Sequence, residues 1–120
     1  MNKEDKELLL KDLCARLPYG VICEIDLKPY KLKSINKHKK LWWFEFDGFR
    51  CLDGVKPYLR PMSSMIEEER KEHNLHRLSK WSTYSEYCAN VLDWLNAHHF
   101  DYRGLIERGL ALEAPEEIYK

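Results

Sequence analysis

The chain has 120 residues, 44% of them hydrophobic and 33% charged, a balance that suits one compact folded domain and excludes a disordered or collagen-like chain. Lys and Arg number twenty, as do Asp and Glu, which excludes the whole-molecule positive field of a general nucleic-acid binder and confines any such binding to a local patch. Four Trp, seven Tyr and four Phe supply apolar area large enough to dominate a small core.

A single domain over 1–120 is expected, with a helix over 1–20, an antiparallel sheet over 21–60 and a helical part over 61–115. Asn2 is a helix cap paired with Asp5, and Leu9, Leu10, Leu13, Cys14 and Leu17 recur at three- and four-residue spacing until Pro18 and Gly20 end the helix. In "GVICEID" Val21, Cys23 and Ile25 alternate with Ile22, Glu24 and Asp26, as in a half-buried strand. In "YKLKS" Tyr30, Leu32 and Ser34 fall on one face and Lys31 and Lys33 on the other. "KLWWFEFDGFRCLDG" holds a hairpin marker at Asp47-Gly48 and a second turn at Asp53-Gly54. Short loops disfavour a parallel sheet, so three or four strands in an antiparallel meander are expected, as a curled sheet or a small open barrel. "VKPYLRP" reads as a stiff extended bridge from sheet to helix, because the residue before each proline is pushed out of helical geometry.

Ser64 with Glu67 forms a capping box for one helix, and Thr83 with Glu86 for the next. The second helix carries Tyr84, Tyr87, Cys88, Val91, Leu92 and Leu95 on one stripe, expected to make the main helix-to-sheet contact. A short last helix is expected near Tyr102 to Arg108, stopped by Gly109, with Leu110 and Leu112 packing back and a loose tail after Glu116. The fold class is therefore α+β: an N-terminal helix, the meander, and C-terminal helices packed on one face of it.

Cys14, Cys23, Cys51 and Cys88 are scattered without a C-x-x-C pair, so no zinc ribbon or redox motif is written and buried small-hydrophobe cysteines are expected. No metal, cofactor or catalytic residue is predicted. His73 and His76 lie one turn apart near Glu69 and Glu72, but such histidines on a charged helix are read as solvated. His98, His99 and Asp101 form the best acid/base cluster and would serve a small hydrolase, whereas the plainer reading has both imidazoles complementing a helix C-terminus.

Lys28, Lys31, Lys33, Lys37, Lys39 and Lys40 follow one another with no intervening acid, and Trp42, Trp43 and Phe44 come next. Basic charge beside stacking aromatics is how single-stranded nucleic acid is held on small sheets, and adjacent strand residues point to opposite faces, so one tryptophan is the platform and the other is core. Lys31, Lys33, Lys39, Lys40, Trp42 and Trp43 are thus candidate binding residues. Lys56, Tyr58 and Arg60 join them as a surface for an anion or a partner.

The blocks "KELLLKDLCARLPYGV", "VKPYLRPMSSM" followed by glutamates, and "DWLNAHHFDYRGLIERGLALEAPE" together cover nearly half the chain. In these blocks it resembles a family of small uncharacterised proteins of gut Bacteroidales genomes and their phages and mobile elements. The resemblance implies a genomic setting and no mechanism. The acid-interspersed N-terminus lacks a signal-like apolar stretch and nothing approaches the ~20 apolar residues of a membrane span, so a cytoplasmic protein without membrane contact is expected. The functional expectation is a non-enzymatic accessory protein that binds a protein partner, with nucleic acid or a nucleotide as the alternative ligand.

Overall fold

The computed structural model describes residues 2–77 and 84–119, with side chains throughout except at 74–77 and 84–89. Helix α1 (Lys3–Arg16) starts as its sequence dictates: the Asn2 side chain accepts the Asp5 N–H at 2.7 Å, and Glu4 and Asp5 sit at the positive end of the helix dipole. Its inner face is Leu9, Asp12, Leu13 and Arg16, all fully buried, an i, i+3, i+4, i+7 stripe in which two charges ride with two leucines. Cys14 consequently turns to solvent, and Cys51 is exposed too, so of the described cysteines only Cys23 is the buried small hydrophobe expected of all four. A 3-10 turn at Leu17–Tyr19 ends at Gly20, whose φ of 70° favours glycine.

Among the described residues seven strands follow in two sheets, neither closed into a barrel, where one three- or four-stranded meander was expected. Strands β1 (Ile22–Ile25), β2 (Lys28–Lys31), β6 (Lys56–Leu59) and β7 (Leu112–Glu113) form one sheet in the order β2-β1-β6-β7. Strands β3 (Ser34–His38), β4 (Leu41–Glu45) and β5 (Phe49–Arg50) form the other. The chain changes sheet at Leu32 and Lys33. The Leu32 N–H bonds the Val21 carbonyl at 3.0 Å, and the next N–H bonds the Glu45 carbonyl at 2.8 Å. Asp47-Gly48 does turn the β4–β5 hairpin.

"VKPYLRP" is a strand inside the sheet and no mere bridge. β6 pairs antiparallel with β1 and parallel with β7, and Val55, Pro57 and Leu59 are buried while Lys56 faces out. The extended geometry that proline imposes on its predecessor is what a strand needs. The parallel pair was invisible beforehand because β7 is two residues long and returns from across the helices.

α1, through Leu9 and Leu13, packs on the sheet residues Val21, Cys23, Phe44 and Leu59, so it makes the helix-to-sheet contact expected of the later helix. Helix α2 (Glu67–Arg77) begins after the expected Ser64, whose hydroxyl bonds the Pro61 carbonyl; Glu69 instead reaches back to the Ile66 N–H at 3.1 Å. Helix α3 (Tyr84–Ala97) buries Trp94 and Leu95 with Met65 and Phe100 in a second cluster and leaves Leu92 40% exposed. Periodicity names a face without naming its neighbour. Thr83, His76 and the side chains of Tyr84, Tyr87 and Cys88 lie outside what is described.

No last helix forms near Tyr102 to Arg108. The segment is a series of turns in which the Asp101 carboxylate accepts the N–H groups of Leu105 and Ile106 at 2.9 and 3.0 Å. Nor is the tail loose up to Tyr119, whose ring stacks on His99 at 3.5 Å. No described helix is long and apolar enough to cross a membrane.

Candidate functional site

The strand order divides the nine candidate binding residues into two groups. Lys31 leaves β2, Lys33 follows it, Lys39 and Lys40 make the β3–β4 turn, and Trp42 and Trp43 begin β4; all four lysines are exposed. Lys56, Tyr58 and Arg60 lie on or just after β6, beside β7, on the other side of β1. Within this second group the polar ends of Tyr58 and Arg60 are taken. The Tyr58 hydroxyl donates to Glu24 at 3.0 Å, and burial together with that bond raises the phenol's pKa; Arg60 makes two bonds of 2.7 and 2.6 Å to Glu69 while lying 4.2 Å over the Phe100 ring.

The register of β3-β4-β5 sorts the aromatics. Ile35, Phe44 and Arg50 share one face, with Lys37 and Trp42 further along it; Phe44 is core, and Trp42 lies beyond the core's edge, 38% exposed, with the Lys37 ammonium 5.3 Å from its ring centre. Ser34, Asn36, His38, Leu41, Trp43, Glu45 and Phe49 share the opposite face. On it Leu41 is 60% exposed, Phe49 59%, and Trp43 half-buried, so neither tryptophan is core. Leu41 and Phe49 were not among the predicted site residues. A two-residue Asp47-Gly48 turn would put Phe49 opposite Phe46; the three-residue loop that forms instead pairs it with Glu45 and so turns it to the Trp43 face.

A second constellation lies between the two apolar clusters. Arg16, fully buried, bonds Asp12 at 2.8 Å and the Phe100 carbonyl, and Arg103 reaches the other Asp12 oxygen at 2.8 Å. Arg16 also lies 5.4 Å over the Tyr102 ring. His99, buried and in the left-handed region at φ 63°, has no partner for Nδ1 among the described residues. Burial, with the charges of Arg16, His98 and Arg60, depresses its pKa to about 4, so it cannot be the helix-capping imidazolium expected. The Tyr119 hydroxyl accepts from the Ile22 N–H at 3.0 Å and bonds the Tyr58 carbonyl, filling the place where the β1–β6 ladder stops at Cys23 and Pro57.

No family model, curated protein or solved structure matches the chain.

The acid/base cluster is not brought together as a catalytic unit. Asp101 caps a turn, His98 packs on Trp94 with Nδ1 3.6 Å from Glu69, and His99 lies under Tyr119. Beside them opens a cleft of about 730 Å³, walled by Pro61, Ile66, Pro115 and Tyr119 and edged by Glu69, Glu113 and Glu116. Arg60 and its hydrogen bonds hold the Glu69 carboxyl below its usual value. No three of His, Cys, Asp and Glu are grouped for a metal among the described residues.

Proposed function

We propose that this is a small non-enzymatic accessory protein that works by binding a protein partner through the open face of β3-β4-β5, in the phage or mobile-element setting implied by the resemblance of its sequence blocks. The observation that carries this is the alignment of Leu41, Trp43 and Phe49 on one solvent-facing sheet surface. Large apolar side chains scattered singly on a surface need no explanation, but three in register on a face whose other side is core make a contiguous patch. A tryptophan at its centre is the type of residue that dominates binding energy when a partner covers it. Lys39 and Lys40 at the end of the same hairpin favour a partner with an acidic rim.

Capture from a host lysate, with and without nuclease, tests this. Wild-type protein should retain a nuclease-resistant partner that Trp43→Ser and Phe49→Ser each lose by at least tenfold in affinity. Retention by both variants would remove this face from the function.

A second reading is favoured by the run of six lysines from Lys28 to Lys40 without an acid. With Trp43 and Phe49, which share one face, it fits a single-stranded nucleic acid whose phosphates meet lysines and whose bases stack on rings. Binding of an oligonucleotide would then weaken with salt at a log-log slope of about −0.7 per phosphate contacted. Nuclease treatment separates the two readings.

A further inference from the structure

We propose that copies of this chain associate head to tail, the basic end of the β3–β4 hairpin of one copy entering the acidic cleft beside β7 of the next. The neutral total of this sequence hides a segregation. In the sheet order β2-β1-β6-β7, β2 is one edge and leads directly into the hairpin, while β7 is the opposite edge and carries Glu113 into the cleft. The strand order thus puts the start of the lysine run, Lys28 and Lys31 on β2, at the edge opposite Glu113 on β7, and the rest of the run continues from that β2 edge into the hairpin of the other sheet.

Each end is incomplete in the way the other satisfies. Three carboxylates, Glu69, Glu113 and Glu116, line the cleft against the single guanidinium of Arg60, and Arg60 is already held by Glu69. Two carboxylates are left on the rim. Between them the wall is apolar, with Ile66 56% exposed. The hairpin end is the converse: Lys37, Lys39 and Lys40 are exposed, and Trp42 beside them is 38% exposed with the Lys37 ammonium 5.3 Å from its ring centre. A cleft of about 730 Å³ is in the range that encloses a drug-sized ligand, so it accommodates an indole ring with a neighbouring lysine stem. The lysine heads would meet Glu113 and Glu116 at the rim.

Because the two surfaces differ, the contact is heterologous and leaves one hairpin and one cleft free on every pair, so it continues into a chain or closes as a ring. The face bearing Leu41, Trp43 and Phe49 stays open in such an assembly. Its repetition along the array would strengthen capture of a multivalent partner without any new contact.

Sedimentation velocity of the full chain over a concentration series tests this. At low salt, dimers and larger species are expected, reverting to monomer as salt screens the rim pairs. Lys39→Gln with Lys40→Gln disables the hairpin, and Glu113→Gln with Glu116→Gln disables the cleft; these exposed positions carry no core contact. Each double variant alone should be monomeric, and their equimolar mixture should form a dimer and nothing larger, since one intact end of each kind remains. Trp43→Ser, which tests the partner face, should assemble like wild type. A wild-type chain that is monomeric at every concentration and salt, double variants that assemble as wild type does, or a mixture that stays monomeric would each overturn the proposal.

Discussion

At His99 the backbone, the ring and the charge are all decided by neighbours. The Phe100 N–H bonds the Leu95 carbonyl at 3.0 Å, which ends α3 with His99 in the left-handed region usually left to glycine. The ring then lies flat against Tyr119, and burial, with the electrostatic influence of Arg16, His98 and Arg60, lowers its pKa from 6.5 to about 4. In the unfolded chain the same imidazole titrates at its ordinary value, so between these two values the native state binds fewer protons. The stability this contributes is complete above about pH 6.5 and is lost as the pH falls to about 4, and the difference corresponds to roughly 3 kcal/mol. Urea denaturation at intervals across that window should show the midpoint falling. His99→Asn, which tolerates the same backbone and does not titrate, should flatten the dependence; an equal slope in both proteins would place the titrating group elsewhere. Glu69, held low by Arg60, loses its contribution only below the ordinary carboxylate value, so the two effects separate on the pH axis.

Single elements show how far pattern reaches. Ile25 pairs with Lys28, so the β1–β2 hairpin turns on two residues, Asp26 and Leu27, both at positive φ. Such turns favour Asp-Gly, and Leu27 occupies the glycine position at φ 68° with its side chain 87% exposed. Leu27→Gly relieves the backbone and removes no buried contact, and should stabilise the protein by about 0.5–1 kcal/mol in chemical denaturation. Loss of stability would mean that the leucine is covered. Helices α1 and α3 make the complementary case: Leu13→Ala opens a cavity in the main core and should cost about 2–5 kcal/mol. Leu92→Ala, on the exposed side of α3, should cost less than about 1 kcal/mol. The reverse order would mean that the later helix, and not α1, covers the sheet.

At the scale of the molecule, the two apolar clusters found among the described residues are joined by an ionic knot. Arg16 extends from α1 in the main core to the Phe100 carbonyl in the second cluster, and Asp12 holds both Arg16 and Arg103. With Asp12 and Arg16 fully buried, removing the shared carboxylate strands a buried guanidinium and leaves Arg103 without its anion, which costs far more than losing a surface pair. Asp12→Ala should therefore lower stability by about 3–5 kcal/mol. In the wild type the knot makes the clusters interdependent, so far-UV circular dichroism and tryptophan fluorescence should report one coincident unfolding transition. Separate midpoints would show two units that unfold on their own.

Local chemistry was legible where a residue's own geometry decides the outcome: the Asn2 cap, the alternation of β1 and the Asp47-Gly48 turn all follow from periodicity and turn preference. Half of the candidate site was legible in the same way, since the lysine run and the paired tryptophans are contiguous. Tertiary structure alone decided the rest, because each remaining feature joins distant segments. Phe49 becomes part of a patch only when β5 pairs with β4, and "VKPYLRP" becomes a central strand only when β7 returns beside it. Asp12 and Arg16 at i, i+4 look like a surface ion pair until Phe100 and Arg103 arrive from the far end of the chain. By itself the sequence determined where chains turn and how charge is spaced, since those depend on neighbours a few bonds away; which face is buried, and against what, was left to the packing of the whole chain.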